Sequence, residues 1–209
     1  IHRGPDDEGY YNDIITGKKI SLGMRRLSII DIDNGKQPII SDDGNLILVF
    51  NGEIYNYQSL KIELQTNHNT EFSTNSDTEV IIKMYETYGV ESFSKLDGMF
   101  AFSILDKNIG KVIIARDFFG EKPLYYSNQM DRIIWGSELK SLILNFESKP
   151  KINKEALSLY FQLTYIPAPY SIYDGVKKLL PNHYLELDID TLDIIENEIS
   201  KLVPQKTSN

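Results

Sequence analysis

The chain has 209 residues, enough for one domain or one domain with a tail and short for a two-domain enzyme. Lysine and arginine total 22 against 30 aspartates and glutamates, so the formal charge is −8, and with no basic run to neutralise phosphates nucleic acid is set aside as a partner. Hydrophobic residues at 41% supply a core, apolar runs of strand length fall far below the roughly 20 residues of a membrane helix, and the absence of cysteine removes disulfides, thiolate metal sites and a thiol nucleophile from these residues.

The text opens on Ile1, inside the cluster His2-Arg3-Gly4-Pro5-Asp6 and without secretory composition, so a native start further upstream is expected. Leu46 to Phe50 is a continuous apolar run between Asp42-Asp43-Gly44-Asn45 and Asn51-Gly52, which reads as a buried strand. Leu60 and Leu64, four apart and preceded by Asn56 as a cap, predict a short helix. Ser76-Asp77-Thr78-Glu79 has the form of a capping box ahead of Val80, Ile81, Met84, Tyr85 and Tyr88, and Gly89 stands where such a helix ends. Strand-like runs then follow at Met99 to Leu105, Val112 to Ala115, Leu124 to Tyr126 and Ile133 to Trp135, the pattern of an antiparallel meander. Ser137 can cap a helix through Leu139, Leu142 and Ile143, a further helix fits Asn153 to Leu163, and Val176 to Leu187 is extended or mixed. Strand-rich blocks flanked by amphipathic helices indicate an α+β domain.

Several chemistries fall away. The three histidines, at 2, 68 and 183, form no pair at metal-ligand spacing. Asp31-Ile32-Asp33 and Asp188-Ile189-Asp190 lack the glycine and glutamate of a calcium loop and read as solvated carboxylates. Neither GxxxxGK[ST], GxGxxG nor GxSxG occurs, which leaves no Walker loop, Rossmann fingerprint or nucleophile elbow.

What remains is an ordered set of signatures: His2-Arg3-Gly4-Pro5-Asp6, Arg26-Leu27-Ser28-Ile29-Ile30-Asp31, Phe50-Asn51-Gly52-Glu53-Ile54-Tyr55-Asn56, Ser76-Asp77-Thr78-Glu79-Val80, Gly98-Met99-Phe100-Ala101-Phe102 and Ala115-Arg116-Asp117. Gly120, Pro123-Leu124-Tyr125-Tyr126 and Ser137-Glu138-Leu139-Lys140 continue it. Together they resemble the amino-terminal glutaminase domain of glutamine-hydrolysing asparagine synthetases, a class II glutamine amidotransferase of the Ntn-hydrolase type. The likeness is dense to about residue 145 and looser through Tyr165-Ile166-Pro167-Ala168-Pro169 and Lys178-Leu179-Leu180-Pro181-Asn182-His183. Phe118 and Glu121 depart from the family pattern.

The resemblance implies a four-layer αββα sandwich, here lacking its N-terminal strand. It divides the chain into an N-terminally truncated amidotransferase domain over 1–150, a connecting segment over 151–190 toward an absent synthetase domain, and a tail over 191–209. In the family an N-terminal cysteine attacks the side-chain amide of glutamine, with its own α-amine, ordinarily titrating near about 7.7–8.0, as base. The freed ammonia amidates aspartate in the second domain, where ATP and Mg are implied; no cofactor is implied in this domain. Without that cysteine these residues are expected to be inactive. A cytoplasmic protein is implied, with glutamine and its own synthetase domain as partners, no membrane, and room for a homodimer.

Site roles carry over position by position. Asn51 and Gly52 would form the oxyanion hole, although Asn-Gly alone also signals a type I′ turn. Arg26 would grip the substrate α-carboxylate with its planar fork, with Ile29 and Ile30 as backbone contacts. Asp77, whose ordinary role in a first helical turn is to complement the helix dipole, would hold the α-ammonium together with Glu53. Arg116 and Asp117 read as a buried pair framing the pocket. Two rivals stay open: a cysteine-less glutamine-binding or regulatory module, as β-lactam synthetases suggest, and an amidotransferase for another acceptor such as a sugar acid.

Overall fold

The computed structural model describes residue 4 and residues 7–26 and 36–201, the side chain of Arg26 excepted. Two long strands, β1 (Asp7–Ile15) and β2 (Lys18–Arg26), form an antiparallel hairpin. β3 (Ile39–Ile40), β4 (Leu46–Ile54), α1 (Tyr57–His68), α2 (Asp77–Tyr88) and a 3-10 turn (Gly89–Lys95) follow. Next come β5 (Gly98–Asp106), β6 (Lys111–Arg116), β7 (Tyr125–Asn128), β8 (Ile133–Gly136), α3 (Leu139–Ile143), α4 (Lys154–Leu163), β9 (Lys177–Lys178), β10 (His183–Asp188) and β11 (Ile194–Glu198).

The central sheet has the order β11-β10-β6-β5-β4-β3, and its neighbouring strands are all antiparallel. β4 and β5 are hydrophobic on both faces because both faces are covered. Leu46, Leu48, Phe50 and Ile54 of β4 pack with Leu60 and Leu64 of α1 and with Val80, Ile81, Met84 and Tyr85 of α2. Ile47 and Val49, on the opposite face, pack with Ile20 and Leu22 of β2, Tyr126 of β7 and Leu179. A second layer built from the β1-β2 hairpin and the sheet β8-β7-β9 therefore covers that face, and α3 packs against β7 and β8. The layers run helix, sheet, sheet, helix, which is the αββα sandwich. No helix among the described residues is long and apolar enough to cross a membrane.

Several details depart from the sequence reading. β4 does not stop at Phe50 but runs to Ile54, so Asn51-Gly52 lies inside a ladder opposite Ala101 and Phe100 and makes no type I′ turn. The expected meander is divided: β5 and β6 join the central sheet, whereas β7 pairs with β8 on one side and β9 on the other. Asn56 is the N-cap residue of α1 as expected, but its side chain makes no capping bond; it donates to Lys95 O and accepts from Asp97 N, fastening the loop before β5. Ser76 does cap α2, through Thr78 N at 3.1 Å, but Glu79 reaches past it to accept from the backbone of Ser73 and Thr74. Residues expected to be a connecting segment supply α4, β9 and β10, and β10 is hydrogen-bonded into the central sheet beside β6. β11 occupies part of the expected tail. Between β10 and β11, Asp188 accepts from Asp190 N and Thr191 N, so one of the two acidic stretches builds a turn; Asp31-Ile32-Asp33 lies outside the described residues.

Candidate active site

Alternation along β4 decides what its end presents. Ile47 and Val49 face the second layer, so Asn51 and Glu53 lie on that same side, where the apolar filling gives way to polar groups. Hydrogen-bond parity decides the rest. Phe100, opposite Gly52, directs its N–H and C=O to Asp117, which leaves Gly52 in a non-bonded pair with its own N–H turned away from β5. Phe50 N and Ile54 N point the same way and are met by side chains: Gln37 Oε1 accepts from Phe50 at 2.7 Å, and Asp77 Oδ2 accepts from Ile54 at 3.1 Å. Gly52 N–H stands between them on this edge, past the end of β3.

The glycines at this end are dictated by close approach. A Cβ on Gly52 would lie 2.1 Å from Met99 O, and one on Gly98 would lie 2.2 Å from Glu53 O. The two backbones therefore hold each other where a side chain cannot enter, which fixes the Gly52 amide.

Asn51 reaches across the layers: its Nδ2 donates to Ser137 Oγ at 3.3 Å. Ser137 follows β8 and does not cap α3, whose N-cap residue is Glu138 and whose end takes no side-chain capping bond; the expected capping role is thereby corrected. Ala101, the cross-strand neighbour of Asn51, is small and leaves the carboxamide room beside it.

Asp77 opens α2 and is 5% exposed. Burial holds its carboxyl above the usual carboxylate range; the Ile54 and Thr78 amides pull it back, and the nearby charge of Glu53 raises it further. Two carboxylates thus converge where the Asn51-Gly52 strand ends, an environment that a cation would relieve. Gln37 ties the two halves of this corner, since its Nε2 donates to Thr78 Oγ1 at 3.4 Å while its Oε1 holds β4.

Arg116 and Asp117 do not form the expected pair. Arg116 donates to the carbonyls of Lys122, Leu179 and Gly120 at 2.7, 2.6 and 2.5 Å, and burial lowers its pKa, an effect the neighbouring Asp117 opposes. The Asp117 carboxylate accepts from the N–H groups of Phe100, Phe119, Glu121 and Lys122. Both residues staple loops to the β5–β6 end by backbone bonds, which a two-residue sequence pattern does not reveal.

Of the sequence-derived site, Asn51, Gly52, Glu53 and Asp77 come together at this corner. Arg26 ends β2 opposite Asp7 in register, but its side chain lies outside what is described, as do Ile29 and Ile30. The neighbouring Arg25 is exposed and paired with Glu8 at 2.6 Å, as a solvated charge. Gln37 and Ser137 were missed: each acts on β4 from a distant segment, and neither carries a local signature of that work. A cavity of about 310 Å3 opens beside Ser137, lined by Pro123, Tyr125, Glu138, Leu139 and Lys140. A second, of about 710 Å3, lies at the other end of β4, among Asp42, Lys83, Glu86, Asp106 and Glu186, and touches none of the residues named for the site.

Comparison with known proteins identifies the family and the fold. Asparagine synthetase [glutamine-hydrolyzing] 1 of Bacillus subtilis is 45% identical over 181 residues, covering 87% of this chain and 28% of the relative. A solved structure titled as the allosteric regulatory enzyme of purine biosynthesis superposes with a TM-score of 0.64 at 20% identity, covering 95% of this chain and 44% of that one. The glutamine phosphoribosylpyrophosphate amidotransferase of B. subtilis, solved with ADP and GMP, gives 0.60 at 20% identity with the same coverage; both show the Ntn-hydrolase fold. This chain spans between 25% and 40% of the length of the first curated relatives it matches. Residues 1–197 match the model of the glutamine amidotransferase domain family, and the chain belongs to that family, as a domain related to the glutaminase domain of asparagine synthetases.

Proposed function

We propose that this domain binds free glutamine and releases ammonia from its side-chain amide, and that the ammonia serves ATP-dependent amidation of aspartate in a synthetase portion of the same polypeptide. The observation that supports the reading is the end of β4, where Gly52 N–H is turned away from β5, Asn51 Nδ2 meets Ser137, and Asp77 accepts from Ile54 N with the charge of Glu53 nearby. In this reading Gly52 N–H and Asn51 Nδ2 donate to the oxygen on which charge develops when the amide carbonyl is attacked, where one donor is worth roughly 2.7–4 kcal/mol. Asp77 and Glu53 hold the α-ammonium, Arg26 grips the α-carboxylate, and Ile29 and Ile30 line the pocket by backbone contacts. A site that pairs both charged ends of an amino acid rejects simple amides and peptides.

These 209 residues hold no cysteine, so the thiol of the proposed reaction belongs to a residue outside them. ATP and Mg belong to the proposed synthetase portion. Among the described residues no group of three or more His, Cys, Asp or Glu is placed to hold a metal ion.

The test is ammonia release from glutamine by the full-length protein, followed by asparagine formation when aspartate and ATP are added. Glutamine-dependent asparagine formation supports the reading. Ammonia release without it moves the acceptor to another class, such as a sugar acid. Glutamine binding without ammonia release makes the domain a regulatory module, and no glutamine binding overturns the reading.

A further inference from the structure

Asn51 can serve an oxyanion only in one of its two amide orientations. With Nδ2 outward it donates; turned by about 180° about its last torsion it presents a carbonyl oxygen to developing negative charge and repels it. Neighbours on β4 do not hold this side chain in place, because the cross-strand neighbour is Ala101 and the sequence neighbour Gly52 has no side chain. The side-chain partner of Asn51 lies in the opposite layer, where Ser137 Oγ accepts from Asn51 Nδ2 at 3.3 Å.

We propose that Ser137 is a positioning residue that holds the Asn51 carboxamide in place at the end of β4, where the proposed oxyanion would form. The proposal rests on the glutamine reading above. Ser137 Oγ accepts one Nδ2 hydrogen, and the second stays available for the substrate oxygen. The hydroxyl is free for this because α3 takes no side-chain cap from it. Its place at the turn from β8 into α3, two elements that pack on each other, holds it at a fixed height above β4. The bond therefore couples the packing of the second layer to the donor geometry of the first.

The experiment measures glutamine hydrolysis by the full-length protein in a double-mutant cycle over Ser137 and Asn51. Ser137→Ala should lower kcat about tenfold, less than the 100-fold or more expected when a donor is removed outright, and leave the KM for glutamine unchanged. Ser137→Thr, which keeps the hydroxyl, should restore kcat. In an Asn51→Ala background Ser137→Ala should cost nothing further, an outcome that a merely structural serine would not give. Equal losses in both backgrounds, an unchanged kcat in Ser137→Ala, or a loss confined to KM each overturn the proposal while leaving the glutamine reading in place. If Asn51→Ala itself leaves kcat unchanged, or the full-length protein releases no ammonia, the hydrolytic reading fails and takes the proposal with it.

Discussion

Two buried carboxylates flank the end of the β4–β5 ladder. Asp117, 1% exposed, accepts four backbone N–H groups, and its own backbone bonds Phe100 O and Asn182 N. Asp77, 5% exposed, takes its cross-segment bond from Ile54 N at 3.1 Å, stands near a second carboxylate, and is held above the usual carboxylate range chiefly by burial. Their depth is nearly the same, but their partners differ in number and kind. A buried anion surrounded by amides has its charge met by the fold, whereas one left beside another anion needs a cation from outside. On the proposed reading, that contrast makes Asp117 architecture and Asp77 the group that meets the cation of the ligand.

The sharpest way to break the comparison is Asp117→Ala. Four donors lose their acceptor together, and a buried unsatisfied donor costs about 1–3 kcal/mol, so with local relaxation a loss of about 3–4 kcal/mol is expected. Thermal denaturation of the full-length protein should show a large fall in the melting temperature of this domain. A shift of a degree or two would mean that the four bonds are not structural.

Asp77→Asn should do the reverse to stability and do damage to binding. The amide oxygen can still accept from Ile54 N, and the buried charge is gone. Because the folded-state pKa is raised, protonation favours the fold: that stabilisation is full below the ordinary carboxylate pKa and is lost as pH rises through the raised one. At neutral pH the ligand-free variant should therefore melt higher than wild type, while glutamine affinity by calorimetry falls at least about 30-fold, near 2 kcal/mol. Wild-type affinity should also weaken on acidification before the ordinary carboxylate range is reached, since the ammonium needs an ionised partner. Retained affinity in the variant would remove Asp77 from the site.

Gly52→Ala tests the scaffold that both carboxylates share. Its Cβ would meet Met99 O at 2.1 Å, so β4 and β5 must part, at a cost of about 1–3 kcal/mol, with glutamine binding weakened alongside stability. Gly98→Ala, which presses on Glu53 O at 2.2 Å from the other strand, should copy it.

How far this corner could be read in the chain depended on where its partners lie. The capping serine and apolar spacing of α2 are local, so Asp77 was placed at a helix start from sequence, and the β-rich runs of β5 and β6 declared themselves. Asn51-Gly52 as a dipeptide also carries a turn signal, which pairing with Ala101 and Phe100, 50 and 48 residues further on, overrides by keeping it extended. Gln37 and Ser137 reach β4 across 13 and 86 residues, and nothing in their neighbourhoods announces it. β10 was obscured in the same way, since its place beside β6 is a fact of sheet order.

The weakest expected effect belongs to Asp13, and it shows that the direction of a pKa shift says more than its size. The bond from Lys107 at 2.8 Å and that from the Tyr11 hydroxyl at 2.7 Å hold its carboxyl at about 2, yet the group lies on the exposed β1-β2 hairpin. A lowered value marks an anion already satisfied, as a raised one marks an anion still wanting a partner. The stabilisation it lends is present above the ordinary carboxylate pKa of 3.8 and lost as pH falls toward about 2. Asp13→Asn should accordingly lower the melting temperature slightly at neutral pH, by less near pH 2, and leave glutamine affinity unchanged. A change in affinity would connect the hairpin to the site and dissolve the distinction between met and unmet anions on which Asp77 is singled out.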